Sequence, residues 1–498
     1  MENKAGFHQA NAPVKSGFYS SKTTESDAKT TIEVEVVNPQ QHIGLFGAVT
    51  FGVGSMIGSG IFISPKGALD HTGSPGASLL VWVLCGILSM CMGLVYAELG
   101  TLIPRSGGDF TYIRKAFGQW PSFLAVWVVP LFSQATSSSV LALVFADYFL
   151  PLIIPSCSAN GVIRKLIASI HILSIGVSNV FSPRLGVFIQ IASTIAKTAA
   201  LILIAITGIV ALGKGSTDNL SSPFQDTTSD VTSYSLAIYA CLFAYSGYVR
   251  IGEIAEEIKE PKKNIPRAII ISIIVVTSFY ILVNISYFVF LPKTEFLGSS
   301  AVAYSWALKA LPSVAIFVPI GVMISVYGAN NGGCFGAARV MFAAARAGLY
   351  PEVLSNLHTE KSTPIISLLL YHGFALAMLV PGEVGSLINF TSFLTSFILL
   401  LSSLSLLRLK YLLRDTKRDT FYVPFVLPIF TSLVNIFLIV APFISSPRIE
   451  FVYGAVFAFG GYILYIPFVH FGLKLPGTDK VTMGLQLLCN VCPTEKID

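Results

Sequence analysis

Gly54-Ser-Met-Ile-Gly58-Ser-Gly60-Ile-Phe62 lies inside the first long apolar run of the chain. Each glycine weakens a helix interior by up to about 1 kcal/mol relative to alanine. Small residues also let helices approach closely in a membrane. Taken alone, the run fits a broken helix as well as a tightly packed one. A second stretch, Phe243-Ala-Tyr-Ser-Gly-Tyr-Val-Arg-Ile-Gly252, tilts the reading. It sets Ser246, Gly247 and Gly252 in mid-run and adds Arg250, a charge that costs about 2.5–3.5 kcal/mol at the centre of a lipid-facing helix. Such a charge is tolerable beside an aqueous cavity.

The surrounding sequence gives these stretches their setting. Of 498 residues, 53% are hydrophobic and only 12% charged, against about 25% charged in soluble domains. Mean hydropathy is +0.72. Apolar runs fall at about 44–69, 76–103, 119–149, 162–182, 187–213, 234–258, 266–291, 312–338, 364–381, 384–409, 421–444 and 449–473. The expectation is an all-α polytopic membrane protein of twelve transmembrane helices. Residues 1–42 read as a disordered cytosolic tail, 43–473 as the membrane domain and 474–498 as a cytosolic C-terminal tail. With both termini inside, the cytosolic loops hold sixteen Lys and Arg against seven outside, as the positive-inside rule requires. The net charge of +6 sits in short clusters between apolar runs, which speaks for membrane topology and against nucleic acid.

Interruptions in spans 1 and 6 open two sets of five spans, so they occupy matching positions if the sets are inverted repeats. Paired interrupted helices point to a transporter site at the bilayer midplane. Freed backbone groups must face protein or ligand there, since lipid cannot satisfy them. N–H groups starting the second half of span 1 suit a carboxylate. Carbonyls ending the first half of span 6 suit an ammonium. A zwitterionic amino acid carries both.

Lys197 stands two helical turns inside span 5, in an otherwise uncharged run. It either snorkels to the cytosolic interface or supplies a fixed cation near the span 1 break in place of a coupling sodium ion. The second reading is preferred, and it implies transport without sodium. Cys157, in the loop between spans 3 and 4, is the one cysteine expected outside; it reads as an intermolecular disulfide or a free thiol. Cys489 and Cys492 form a Cys-x-x-Cys that lacks the four ligands of a structural zinc site, leaving ordinary thiols or a lipidation site. Asn219-Leu-Ser221 is a possible glycosylation acceptor. No cofactor or metal is expected. His171 and His372 are isolated within spans, so no catalytic cluster marks an enzyme, and no charged ring or carbonyl filter marks a channel.

Several motifs together are specific. They are Gly58-Ser-Gly-Ile-Phe62 with Ser64-Pro-Lys66, Tyr96-Ala-Glu-Leu-Gly100 with Pro104-Arg-Ser-Gly-Gly108, Phe243-Ala-Tyr245 with Glu256-Glu257 and Pro261, Asn264-Ile-Pro-Arg-Ala268, and the Cys334-to-Leu354 region. From about residue 44 onward the chain resembles the light subunits of the heteromeric amino-acid transporters, within the amino acid–polyamine–organocation superfamily. It is most similar to the members that partner the renal heavy chain. The resemblance implies a five-plus-five inverted-repeat fold of the LeuT type with two further helices. It also implies sodium-independent, one-for-one exchange of L-amino acids at the plasma membrane, and a disulfide from Cys157 to a single-span glycoprotein heavy chain. By the same likeness, Ile57, Gly58, Ser59, Gly60 and Ile61 of span 1 and Phe243, Ala244, Ser246, Gly247, Tyr248 and Arg250 of span 6 form the substrate site with Thr395. Ser59 and Gly60 would receive the carboxylate, and Phe243 would gate the outer side. The dibasic exchanger has Asp where Ser246 stands here, so a pocket with Arg250 nearby should repel cationic side chains. Large neutral, including aromatic, substrates are the leaning. Acidic amino acids or cystine on Arg250, and a proton-coupled symporter, are the alternatives.

Overall fold

Apolar segments that long cannot leave backbone groups unpaired in lipid, and every predicted span is found on helix. The computed structural model describes residue 41 and residues 43–58, 60–105, 107–154, 161–181, 183–359, 363–415, 420–445, 448–473 and 477–492. The expected N-terminal tail, Ser59 and Cys157 therefore lie outside the described residues, apart from Gln41 of the tail.

Span 1 is two helices, α1 (Leu45–Met56) and α2 (Gly60–Thr72). Span 2 is α3 (Pro75–Leu102), opened by a Ser74 side chain that accepts the Ala77 N–H at 3.3 Å, with proline at the first position. The connecting α4 (Gly108–Phe117) precedes α5 (Gln119–Val128), which runs through a π-helical turn, Val129–Gln134, into α6 (Ala135–Ile153). Spans 4 and 5 are α7 (Gly161–Phe181) and α8 (Pro183–Gly213). Span 6 is α9 (Ser233–Tyr245), a 3-10 turn at Ser246–Val249 and the single turn α10 (Arg250–Glu253). Then come α11 (Pro261–Phe290), the short α12 (Lys293–Gly298) and α13 (Val302–Ala310), α14 (Phe317–Arg346) and α15 (Ile365–Ala377). The membrane helices end with α16 (Val384–Leu412), α17 (Val426–Ser445) and α18 (Ile449–Leu464), and the chain closes with α19 (Thr478–Cys489). A two-residue strand β1 (Leu357–His358) pairs antiparallel with β2 (Val491–Cys492).

By length and apolarity, eight single helices qualify as membrane spans, and nine with the bent α1/α2 pair, among the described residues. The predicted spans 6, 8 and 9 miss those criteria for visible reasons. Span 6 is interrupted, α15 has only 13 residues, and α14 carries Asn330-Asn331-Gly-Gly333 at its middle. The packing follows the expected internal symmetry. α2 packs on α9, α3 on α11, α6 on α14 and α7 on α15, so each of the first four spans meets the span five places later.

One buried ion pair ties the ends of spans 2 and 10. Lys410 Nζ lies 2.8 Å from Glu98 Oε2, both side chains essentially unexposed. The same ammonium donates to the Val423 carbonyl and sits 3.7 Å from the Tyr422 ring centroid, and Glu98 also accepts the Val423 N–H at 2.9 Å. Removing one partner strands a buried charge at a cost of about 3–5 kcal/mol, whereas removing both is far milder. Lys410→Met should therefore lower the thermal unfolding midpoint of the solubilised protein much more than the double variant Glu98→Gln/Lys410→Met. A double variant no better than the single one would contradict this role.

Candidate functional site

The helix of span 1 stops at Met56 and restarts at Gly60 with its axis turned by 49°. The Gly58 N–H, which an unbroken helix would send to Gly54, instead donates to Met56 O at 2.7 Å. That leaves the Gly54 carbonyl without its helical donor. Lys197 of α8 supplies one: Nζ donates to Gly54 O at 2.5 Å, and the side chain is 1% exposed. No carboxylate lies within ion-pair distance of Lys197 among the described residues. The first N–H groups of α2 have no intrahelical partner by geometry.

Span 6 is interrupted differently from the expected unwinding. The α-helix tightens at Ser246 into a 3-10 turn, makes one α turn at Arg250–Glu253, then passes through Ala255–Glu257 in a second 3-10 turn. The two interruptions cross in backbone contact. A Cβ added at Gly60 would lie 2.6 Å from Ala244 Cα, and one at Gly247 would lie 2.4 Å from Met56 N. The glycine run thus does both things the sequence allowed. At Gly54 and Gly58 a Cβ would meet its neighbours only at ordinary contact distance, Thr194 at 3.7 Å and Ala329 at 3.9 Å, while Gly52 and Gly60 pack closely, Gly52 against Ser272 and Ile251 of α11 and α10.

A residue the sequence did not flag joins the two breaks. Tyr280 of α11 is fully buried, with its hydroxyl 2.7 Å from Met56 O and 3.0 Å from Ala244 O. One proton serves two carbonyls, one from each interrupted helix. Nothing in the pattern Ser278-Phe-Tyr-Ile281 separates this tyrosine from an ordinary core aromatic. The available signal is general: a buried tyrosine hydroxyl in an apolar span needs an acceptor.

Two cavities flank the crossing, and α9 is the wall between them. Leu236 and Ala240 face a wide cavity of about 1020 Å³, bordered also by Phe62, Lys66, Asp147 and Arg164. Tyr239, Phe243 and Ser246 face a narrow one of about 160 Å³. At the wide cavity, Arg164 grips Asp147 through two bonds of 2.5 and 2.7 Å and donates to Gly382 O at 2.8 Å. That clamp fastens α7 to α6 and to the turn before α16.

The predicted residues divide cleanly. Phe243, Ser246, Tyr248, Arg250 and Thr395 line the narrow cavity, Thr395 sharing a 3.1 Å hydrogen bond with Ser133. Ile57, Gly58, Gly60, Ile61, Ala244 and Gly247 border neither cavity and build the crossing instead. Asp109 and Glu253 also line the narrow cavity. Asp109 accepts from the hydroxyls of Tyr96 and Ser402, the latter at 2.7 Å. Arg250 is half-buried, its guanidinium lying along the Gly333 and Gly336 face of α14. Glu253 shares the cavity, yet among the described residues no carboxylate comes within ion-pair distance of Arg250. Asn219 is exposed on a 3-10 turn, its Nδ2 donating to Val289 O at 2.9 Å. Cys489 and Cys492 flank the turn into β2, Cys492 exposed with its thiol on Leu357 O. Among the described residues, no group of three or more His, Cys, Asp or Glu could hold a metal ion.

Comparison with known proteins agrees with this architecture. A model of the amino acid permease family matches residues 43–468. The chain is 38% identical over 474 residues to the b(0,+)-type amino acid transporter 1 of Mus musculus, covering 94% of this chain and 97% of that one. It is 36% identical over 465 residues to the cystine/glutamate transporter of Homo sapiens, covering 93% and 92%. Against the large neutral amino acids transporter small subunit 2 of Mus musculus the identity is 39% over 360 residues, covering 71% and 67%.

Tyr280→Phe removes one proton from two buried carbonyls, a loss of about 1–3 kcal/mol. The variant should fold and reach the membrane, denature at lower temperature and lose most transport. Wild-type thermal stability together with wild-type transport would show that the bridge is idle.

Proposed function

The chain belongs to the amino acid permease family, and we propose that it is a sodium-independent amino-acid exchanger working by alternating access. The crossing of two interrupted helices, with a lysine ammonium on the break, carries this reading. The family likeness supports a substrate carboxylate at Ser59 and at the N–H groups that open α2 from Gly60, where the helix dipole favours negative charge. The ammonium meets carbonyls at the end of α9, where the Tyr280 hydroxyl already holds that of Ala244 at 3.0 Å. The side chain extends into the narrow cavity between Tyr248, Arg250 and Thr395, with Phe243 as the gate above it. Lys197 supports independence from sodium, since its fixed charge stands on the carbonyl that a coupling cation would need.

Large neutral substrates, including aromatic ones, suit the apolar and hydroxyl lining of the narrow cavity, which includes Tyr239, Leu242, Val249 and Leu399. A second reading, exchange of acidic amino acids or cystine, is favoured by one observation: Arg250 faces that cavity with no carboxylate in ion-pair range, ready for a bidentate bond to a carboxylate. Both readings argue against cationic side chains.

The excess of basic residues in one set of loops supports two cytosolic termini, with the wide cavity opening outward and the narrow one inward. The likeness to a transporter small subunit supports a disulfide from Cys157 to a single-span heavy-chain glycoprotein at the plasma membrane. Cys157→Ser should then abolish a high-mass band on a non-reducing gel, and a persisting band would contradict the link.

Uptake into proteoliposomes without sodium tests the function. Labelled tyrosine, leucine, glutamate, cystine and arginine should enter only when unlabelled amino acid is inside, with arginine the poorest. Uptake of glutamate and cystine that Arg250→Ala abolishes would select the second reading. Uptake into empty vesicles driven by a proton gradient would replace exchange with symport.

A further inference from the structure

The C-terminal helix turns the wrong way round for a water-exposed element. In α19, Thr482, Leu485, Gln486 and Cys489 share the face directed at the protein, and all four are half-buried. The opposite side carries Val481, Met483, Leu487 and Leu488, exposed by 63, 62, 75 and 83%. Two polar side chains point inward and four apolar ones point out. A helix packed on a soluble surface does the reverse. Lys480, at the start of the helix, is exposed as well.

The surroundings say what covers this face. α19 packs against α15 and against the 3-10 turn Glu352–Ser355 that follows α14. The segment just after it is fastened there, with β2 on β1, Thr359 N–H donating to Asn490 O at 3.1 Å, and Val491 buried. The helix therefore lies beside the ends of two membrane helices. It is reached from the last span through Phe471 and Leu473, both strongly exposed and apolar. Ile463 and Leu464 at the end of α18 are exposed as well. Beside the ends of membrane helices, the apolar surface that such a face meets is the bilayer.

We propose that α19 is an interfacial helix that lies in the inner leaflet of the bilayer, with Val481, Met483, Leu487 and Leu488 among the acyl chains and Lys480 at the headgroups. Its partner is the phospholipid surface itself. By way of β2 and β1 it anchors the loop between α14 and α15 to that leaflet. This inference is independent of the transported substrate.

The test uses the full-length chain, purified into lipid nanodiscs so that both faces are open to solvent. Leu488→Cys is made in a Cys489→Ser/Cys492→Ser background and labelled with an environment-sensitive fluorophore, the background alone serving as the blank. Val481→Cys is a second, independent position on the same face. Nitroxide carried on shallow acyl-chain positions should quench both labels several-fold more strongly than aqueous iodide does. Strong quenching by iodide would overturn the proposal and leave the face to a soluble partner. Protection from both quenchers would also overturn it, because protein and not lipid would then cover the face.

Discussion

A backbone carbonyl released inside a bilayer has no water to turn to, and much of this architecture answers that one constraint. Breaking span 1 frees the Gly54 carbonyl, and the ammonium of Lys197 reaches across from α8 to hold it. Met56 at the end of α1 and Ala244 near the end of α9 share the Tyr280 hydroxyl. A lysine and a tyrosine from two other spans thus supply donors to the carbonyls at the breaks. The glycines at 60 and 247 let the two interrupted helices touch backbone to backbone. Any side chain there would force them apart.

The crossing divides the space around it. α9 presents one face to the wide cavity and another to the narrow one. Charges are sorted accordingly. The wide cavity holds a closed pair, Arg164 with Asp147, which fastens scaffold helices together. The narrow cavity holds Arg250 and Glu253 one turn apart on α10 but not in contact, with Asp109 engaged by two hydroxyls. Charged groups without a direct partner in a cavity of that size are costly to maintain.

Much of this was legible in the sequence because it depended on residue type at a position. Glycines at positions 54 to 60 weaken a helix, and a mid-span Arg250 and Lys197 are charges that lipid does not tolerate, so each could be singled out by its type and place alone. Apolar length gave the helices, although the interrupted span 6, the short α15 and the Asn-Gly centre of α14 blur the count. What escaped depends on partners far apart in the chain. Tyr280 meets Met56 across 224 residues, and Asp109 meets Ser402 across 293; neither has a local signature. The 3-10 form of the span 6 interruption also escaped, because serine and glycine there fit unwinding and tightening alike. The outward apolar face of α19 was hidden for a related reason. Its sequence is amphipathic, and only the packing on α15 decides which side faces away.

The Lys197 bond to the broken helix is the claim on which the rest stands, and its most direct test is exchange by Lys197→Ala. The purified variant would be reconstituted beside the wild type, with folding checked by monodisperse elution and delivery checked by surface labelling in cells. The expected result is a folded, delivered protein whose sodium-free uptake against internal amino acid is abolished. Uptake at the wild-type level would contradict it, since the Gly54 carbonyl would then need no fixed cation for the site to work.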